Sequence, residues 1–420
     1  MFRPLIRPLA VLAVAAVVGT GLAACGDTSK TITIGALYPR TGSQGSGGTE
    51  EFRGVELAAD YANNTTVALG TKIKLTSVDA ARAEQVPDAM DTLAKRGASI
   101  VLGSHSSEIS AVAAREATIK KLAFFETGAV GDTAPDDSNG TNFFRMAPMG
   151  ANLGRAAIDF VQDELSTKLP DHGPLKYAVD YVNDAYGHAV AQGALDTIKE
   201  RGLQLVGTFS YDPNVKDYVN PVVAQIAAAH PDVLFSAAYV PDGVAIRQGL
   251  VANHVPLLSA IGTSSSYCMQ AFGDALGAEG VGLFASDKPD AADVNASALT
   301  PEGRRMLDWA SKRYQAEWHE PMGAAALSGF SNAYALFIHV LPQAGNLSVP
   351  NVAKAALAVK LPQGSLPNGG GLDLAPPGSV DAGANRRPAG IIEEWIAPGK
   401  KATVWPPAFA EHPVEALPLA

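Results

Sequence analysis

Residues 31–64 have the sequence TITIGALYPRTGSQGSGGTEEFRGVELAADYANN, which contains the unit that decides the fold. The apolar run at 31–37 predicts a buried strand, and residues 50–64 predict an amphipathic helix with apolar side chains near one side. A glycine-rich loop joins the two, and a second strand is predicted at 72–78. Because strands joined through a helix in this way form right-handed crossovers, the βαβ unit predicts a parallel sheet.

The same alternation continues along the chain and starts again after residues 144–148. In the first series, predicted helices at 86–96 and 107–120 alternate with strands at 99–102 and 122–125. The second series has predicted helices at 153–165, 189–201, 215–230 and 244–253, and predicted strands at 175–180, 203–210, 233–235, 257–261 and 280–284. We therefore predict an α/β fold class with two doubly wound lobes.

Three crossings between the lobes are expected, near residues 144–148, 284–288 and 341–350. Helices predicted at 302–318 and 324–341 follow each other without a strand, which indicates that they return to cover the first sheet. The predicted organisation is a signal peptide at 1–24, a lipidated cysteine and tether at 25–30, lobe 1 at 31–145 and 285–345, lobe 2 at 146–284 and 346–405, and a loose tail at 406–420.

The beginning of the chain predicts export. Arg3 and Arg7 precede a short apolar run at 9–18, and small residues follow, as a signal peptide requires. The sequence Leu-Ala-Ala-Cys at 22–25 resembles a bacterial lipobox. That resemblance implies cleavage before Cys25, lipid attachment to it, and an extracytoplasmic protein anchored to the cell membrane.

The amino-acid composition further limits the class of protein to which the chain can belong. A formal net charge of -10 disfavours a nucleic-acid partner, and 47% hydrophobic residues with 18% charged residues allow large cores. A lipidated Cys25 would leave Cys268 without an intramolecular partner, so no disulfide framework is expected. The later segment at 324–340 comes closest to a membrane span, but its polar residues favour a buried helix.

Glycine and hydroxyl residues are concentrated in three loops of the first lobe, each after a predicted strand. The loops are residues 38–48, 103–107 and 127–131. In open parallel sheets ligands bind beyond the carboxyl ends of the strands, where backbone N–H groups and helix N-termini favour an anion. The three loops therefore predict a cradle for a small carboxylate.

Several short strings, in order, resemble the leucine/isoleucine/valine-binding branch of type I periplasmic binding proteins. They are IGALYPRTG, EEFRGVELAADYAN, VLGSHSSEIS, FFETGA, FFRMAP, Tyr186-Gly187 and FSAAYVPDG. The resemblance runs from about residue 31 to about 344 and implies the type I periplasmic-binding-protein fold with a three-crossing hinge. It further implies a receptor that delivers a small solute to the permease subunits of an ABC importer, with no catalysis and no cofactor.

The same resemblance implies a set of ligand-binding residues. In the first lobe it suggests a hydroxyl and N–H from Ser106 and Ser107, with further contacts from the 127–129 loop. In the second lobe Tyr186 and Tyr239 are expected to reach the ligand. The full predicted set is Ser106, Ser107, Thr127, Gly128, Ala129, Tyr186, Tyr239 and Thr263.

Two departures from that branch leave the ligand open. An aromatic residue is usual where this chain has Gly47, and an acidic residue is usual where it has residues 262–266. A buried ammonium without a carboxylate is costly, so the missing acid places an amino-acid ligand in doubt. Glu126, Asp184 or Asp242 are candidate substitutes, although capping roles are favoured for each. An amino acid, an amide and a small or aromatic carboxylate all remain candidates.

Catalytic and metal motifs are not found in the sequence. It contains no G-x-S-x-G elbow, no phosphate-binding Gly-Lys-Ser/Thr, and no histidine or cysteine spacing typical of a metal site. Two alternatives to an importer receptor remain. One is a ligand sensor for a signalling partner, and the other is a hydrolase that uses Ser106 and His105.

Overall fold

The first sheet is formed by five parallel strands near the beginning of the chain. The computed structural model describes residues 30–65, 71–131, 140–263, 265–379 and 381–419. The strands are β1 (Lys30–Tyr38), β2 (Thr71–Asp79), β3 (Ile100–Gly103), β4 (Ala123–Glu126) and β5 (Phe143–Arg145). Their order is β2-β1-β3-β4-β5. The central strands β3 and β4 are buried along their whole length, as continuous apolar runs in a parallel sheet require.

The second sheet has seven strands and begins with five parallel ones. These are β6 (Lys176–Val182), β7 (Gln204–Tyr211), β8 (Val233–Ala237), β9 (Ser259–Thr263) and β10 (Phe284–Asp287). After a short hairpin of β11 (Lys360–Leu361) and β12 (Leu372–Asp373), the antiparallel strands β13 (Ile391–Ala397) and β14 (Lys400–Trp405) close the sheet. The order is β14-β13-β10-β9-β8-β6-β7, so the predicted α/β fold with two lobes is confirmed.

Helices cover the sheets and begin at the loops that follow the strands. They are α1 (Gly45–Asn64), α2 (Val86–Lys95), α3 (Ser107–Lys120), α4 (Gly150–Phe160), α5 (Ala185–Glu200), α6 (Val219–Ala229), α7 (Val240–Ala252), α8 (Gln270–Leu276), α9 (Pro301–Trp318), α10 (Ala324–Tyr334) and α11 (Val349–Ala358). The helix that starts as α10 continues to residue 340 in a wider helical turn. As predicted, α9 and α10 pack on the first sheet.

Close helix packing in each lobe depends on glycine. A β-carbon at Gly54 of α1 would overlap the carbonyl of Ala326 on α10, and one at Gly329 would overlap the carbonyl of Glu51. In the second lobe, a β-carbon at Gly154 of α4 or at Gly193 of α5 would likewise overlap a backbone carbonyl of the facing helix. The helix backbones touch at these points, so the first turns of α1 and α10 are held side by side.

The structure differs from the predicted lobe boundary at residue 346. Side chains of α11 and of the segment that follows it, including Val352, Leu366 and Leu374, belong to the first hydrophobic core. The chain therefore returns to the second lobe only between 374 and β13, not at 341–350. The predicted strand at 280–284 also begins later, since β10 starts at Phe284.

The predicted loose tail at 406–420 packs on the second lobe over its described part. The N–H groups of Glu411 and His412 donate to the Thr403 carbonyl at 2.9 and 3.2 Å. Further along, the N–H of Glu415 donates to Glu394 at 3.2 Å, and Leu419 packs against the second core. The tail therefore packs against β13, β14 and the second core.

Two expectations concern membranes. The signal peptide, Cys25 and the tether up to residue 29 lie outside the described residues. Among the described residues, helix Ala324–Gln343 has the length and apolar composition of a membrane span, but 89% of its most apolar window is buried inside the protein. It is therefore the core helix that its polar residues predict.

We expect Gly54→Ala to lower the free energy of unfolding by about 1–3 kcal/mol, because the added methyl group forces α1 and α10 apart. Urea denaturation followed by circular dichroism measures this change. Gly173→Ala is the matched control, since a β-carbon there meets no atom within 4 Å and the change should stay within about 0.5 kcal/mol. Equal stability of the two variants would contradict the tight contact.

Candidate functional site

A cavity of about 260 Å³ lies between the two lobes at the carboxyl ends of their parallel strands. Its wall includes residues from both lobes and from the crossing after β10. The lining residues are Ser43, Gln44, Ser46, Gly47, His105, Ser107, Gly128, Val130, Tyr186, Tyr239, Val240, Pro241, Ser265, Met269, Ala271, Asp287, Lys288, Ala324 and Ala325. The cavity lies where the strand-end loops predict a binding site.

The first turns of helices from both lobes line this cavity, but they differ in capping. In the second lobe, Asp184 accepts a hydrogen bond from the N–H of Gly187 in α5 at 2.8 Å, and Asp242 accepts from the N–H of Tyr239 before α7 at 3.0 Å. In the described part of the chain no side-chain hydrogen bond caps the first turn of α1 or α3, whereas at α10 the Glu50 carboxyl accepts from the N–H of Ala326 at 3.5 Å. The positive ends of α1 and α3 are therefore open toward the cavity.

A buried carboxylate organises the loops beneath that wall. Glu126, which is fully buried at the end of β4, accepts hydrogen bonds from the N–H groups of Ser104, Gly128 and Ala129 at 2.7–2.8 Å. Burial raises the pKa of its carboxyl group, and the neighbouring Glu51 raises it further. Glu126 thus holds two of the three predicted loops together, and it occupies the N–H groups of Gly128 and Ala129, two residues that the resemblance expects to contact a ligand.

A second buried carboxylate reaches the cavity through a histidine. Glu51 on α1 is fully buried, and its Oε2 lies 2.9 Å from Nδ1 of His105. Its Oε1 accepts a hydrogen bond from the Thr127 hydroxyl at 2.6 Å. Among the described contacts, the His105 ring bonds to Glu51 through Nδ1, and a bond between this ring and the Ser106 hydroxyl is not found.

Two tyrosines form the wall on the side of the second lobe. The Tyr186 hydroxyl donates toward the carbonyls of Thr263 and Ala238 at 3.2 and 3.4 Å, and the Tyr239 hydroxyl donates to Asp184 at 2.7 Å. The ring centroids are 5.3 Å apart. Burial raises the pKa of both hydroxyls well above its ordinary value, so both stay neutral. With their polar ends bonded inside lobe 2, the rings offer the cavity an apolar wall.

The crossing after β10 contributes two charged residues that the sequence analysis missed. Lys288 is buried and donates from Nζ to the carbonyl of Gly128 at 3.0 Å, which ties the crossing to the first lobe. Asp287 is also buried and accepts from the thiol of Cys268 at 2.9 Å. The signal in the sequence that could have revealed these two residues is a pair of adjacent, oppositely charged residues shortly after a predicted strand.

The predicted binding residues fall into two groups. Ser107, Gly128, Tyr186 and Tyr239 line the cavity. Ser106, Thr127, Ala129 and Thr263 are buried beside it, and the Thr127 hydroxyl is bonded to Glu51. Of the candidate substitutes for the missing acid, Asp184 and Asp242 cap helices, as the sequence favours. The ligand-binding role of the set stays a prediction.

Three carboxylates at the hinge are close enough together to hold a cation, but a lysine already lies among them. Asp290, Asp293 and Glu393 are within 4.8 Å of one another. Lys401 Nζ lies 2.8 Å from Asp290 and from Glu393, and 3.5 Å from Asp293. Lys401 thus provides the positive charge at this point and joins β13 and β14 to the crossing.

The fold and cavity define a two-lobed solute-binding protein. A family model described as periplasmic binding protein matches residues 31–375, and the chain belongs to this family, in agreement with the resemblance noted in its sequence. A Leu/Ile/Val-binding protein homolog 7 from Brucella melitensis biotype 1 is 27% identical over 406 residues, which cover 96% of this chain and 98% of the relative.

Solved structures share the fold over nearly the whole chain. An ABC transporter solute binding protein from Rhodopseudomonas palustris, in complex with benzoate, has a TM-score of 0.72 at 16% identity and covers 92% of this chain and 99% of its own. The branched-chain amino acid substrate binding protein LivJ from Streptococcus pneumoniae, in complex with isoleucine, has a TM-score of 0.71 at 16% identity, covering 90% and 100%. The predicted type I periplasmic-binding-protein fold is confirmed.

Glu50 on α1, whose carboxyl group accepts from the N–H of Ala326, predicts a pH dependence of stability. Burial raises the pKa of Glu50 from 4.5 to about 7, and the nearby Asp290 carboxylate contributes to the rise. Because the folded state holds this proton more tightly, the free energy of unfolding should fall as pH rises from about 4.5 to about 7. We expect Glu50→Gln to remove about 1–3 kcal/mol of that fall, measured by urea denaturation at pH 5 and pH 8.

Asp180 and Glu394, whose pKa values burial also raises to about 7, keep the rest of the pH dependence in the variant. The exposed Glu84→Gln variant is the control and should follow the wild-type pH profile. An unchanged pH profile for Glu50→Gln would show that this carboxyl group titrates normally.

Proposed function

We propose that this protein is an extracytoplasmic, lipid-anchored solute-binding protein that captures a small amino-acid-like or carboxylate solute between its lobes and delivers it to an ABC importer. The observation that carries the proposal is the contrast between the two walls of the cavity. Open helix N-termini of α1 and α3 favour an anionic group on one side, and the rings of Tyr186 and Tyr239 favour an apolar body on the other.

The size of the cavity supports a small ligand. The cavity volume of about 260 Å³ corresponds to about nine water molecules at about 30 Å³ each. The benzoate and isoleucine held by two structural neighbours are both small and both carry a carboxylate next to an apolar body. The names of the Brucella relatives also favour this class of solute.

Binding and closure are coupled in this proposal. The first lobe receives the carboxylate on Ser107 and the open helix ends, and closure then brings in the two tyrosines. Because the tyrosine contacts exist only in the closed form, the ligand binds that form more tightly and shifts the population toward it. The closed, ligand-loaded form then differs from the empty form. This difference allows an importer to select the loaded protein.

The proposal is tested by a thermal-unfolding screen of the chain from residue 30, which contains both cores, against L-leucine, L-isoleucine, L-valine, benzoate, benzamide and short aliphatic carboxylates. A bound compound at a hundred times its Kd should add about 2.7 kcal/mol to the free energy of unfolding. Stabilisation by a carboxylate that is recovered unaltered supports the proposal. Absence of any shift, or consumption of the compound, would overturn it, and consumption would favour a hydrolase.

We expect Tyr186→Ala to weaken binding of the best compound by about 1–3 kcal/mol, since it removes a desolvated aromatic contact. Isothermal calorimetry measures the change. Tyr181→Ala, which removes a partly buried tyrosine of the same lobe outside the cavity lining, is the control and should bind as the wild type does. Equal affinity of both variants would assign Tyr186 to packing alone.

We expect Cys25→Ser to move the protein from the membrane fraction to the soluble fraction, because a lipid anchor requires the cysteine thiol. Fractionation of cells followed by immunoblotting measures this. A Cys268→Ser variant is the control and should stay with the membranes, since that thiol is buried. Membrane association of the Cys25→Ser protein would indicate a different anchor.

A further inference from the structure

We propose that His105 is a ligand-binding residue that donates a hydrogen bond from Nε2 to an anionic oxygen of the solute, and that Glu51 is the positioning residue that holds the ring for this task. The inference rests on the proposed function and makes it more specific, because it assigns the carboxylate of the solute to the wall formed by α1 and the loop after β3.

The backbone of His105 is in a conformation that non-glycine residues rarely adopt. Its φ is 70°, in the left-handed region, within a loop whose neighbours Ser104 and Ser106 are buried. Such a conformation costs energy for a residue with a β-carbon and persists where the surroundings determine it. Here it turns the imidazole toward α1, where the ring lines the cavity and its side chain stays 17% exposed.

A series of buried hydrogen bonds ends at Glu51 and determines which nitrogen of His105 carries the proton. The Tyr38 hydroxyl lies 2.6 Å from the Thr127 hydroxyl, which donates to Glu51 at 2.6 Å. Since a carboxylate only accepts, His105 contributes the proton in its own bond to Glu51, at Nδ1. The other nitrogen, Nε2, is therefore the one left for a ligand.

Two glycines leave space for this pair. A β-carbon at Gly47 would overlap the His105 ring, with Nε2 as its nearest atom. A β-carbon at Gly128 would overlap the Glu51 carboxylate. Gly47 lies in the first turn of α1, so Nε2 of His105 adjoins an uncapped helix N-terminus. Both features favour negative charge at the same point.

Charged groups lie around the ring on several sides. Glu50 and Glu51 face His105 from α1, Glu126 lies at the end of β4, and Lys288 reaches Gly128 from the crossing. A solute carboxylate at Nε2 would place the ring between two carboxylates, which requires a proton on each nitrogen.

The test compares each carboxylate with its primary amide. The probes are benzoate against benzamide and L-isoleucine against L-isoleucinamide, measured by calorimetry on wild type, His105→Phe and His188→Phe. We expect His105→Phe to bind the carboxylate at least 10-fold more weakly than the wild type does. The ratio of carboxylate affinity to amide affinity should fall by a similar factor. His188 is exposed and lies outside the cavity lining, so its variant should match the wild type.

Gly47→Ala provides an independent variant that does not alter the histidine. Alanine is intrinsically favoured over glycine within a helix, so the protein should fold, which its thermal unfolding midpoint verifies. The three atoms nearest to the added methyl group all belong to the His105 ring. We therefore expect the same loss of preference for carboxylate over amide as in His105→Phe, because the methyl group blocks Nε2.

A direct readout comes from nitrogen-15 spectra of the eight histidines, with His105 assigned through the His105→Phe variant. The proton should be at Nδ1 in the empty protein, and both nitrogens should be protonated with benzoate or L-isoleucine bound. If a carboxylate stabilises the wild type while the His105 signals stay unchanged and both variants bind normally, this inference is wrong and the proposed function stands. If no probe stabilises the wild type, both are wrong.

Discussion

The packing of α1 against α10 is the contact on which the cavity depends. It joins two segments that are far apart in the sequence, and at Gly54 and Gly329 the two backbones approach without any intervening side chain. Because both helices begin at the cavity, this contact also aligns their first turns along one wall. The position of Glu51 follows from the same contact, since its carbonyl faces Gly329 while its carboxylate lies beneath Gly128. Packing and binding chemistry are thus carried by the same helix.

The two lobes satisfy their helix ends differently, and this difference gives the cavity its polarity. The second lobe uses its own aspartates, Asp184 and Asp242, to cap α5 and α7. The first lobe buries Glu126 and Glu51 below its loops and leaves the first turns of α1 and α3 without a side-chain cap in the residues described. Burying carboxylates is costly unless each is bonded, and here every bond also orders a loop of the cavity. The same groups that stabilise the loops therefore prepare the surface for an anion.

Much of the fold could be predicted from the sequence because the spacing of apolar residues and the composition of loops are local signals. The alternation of strands and helices, the cavity at the strand ends and four of its lining residues follow from them. Assignments that depend on distant contacts could not be derived. The amphipathic helix α11 does not reveal which sheet it covers, and the bond between Glu51 and His105 joins residues that only folding brings together. Lys288 was missed for the same reason, since its partner is the carbonyl of Gly128.

Both ends of the described chain lie away from the cavity. The cavity adjoins the carboxyl ends of the strands, so Lys30, at the amino end of β1, is at the opposite edge of the first sheet. At the other end, Leu417 and Leu419 pack beside Gly282, just ahead of β10 and thus at the amino edge of the second sheet. A fluorescent donor and acceptor attached at these two poles would span the hinge without touching a cavity residue. The architecture therefore suits conversion into a reagentless optical sensor, in which bending of the lobes changes the energy transfer between the dyes.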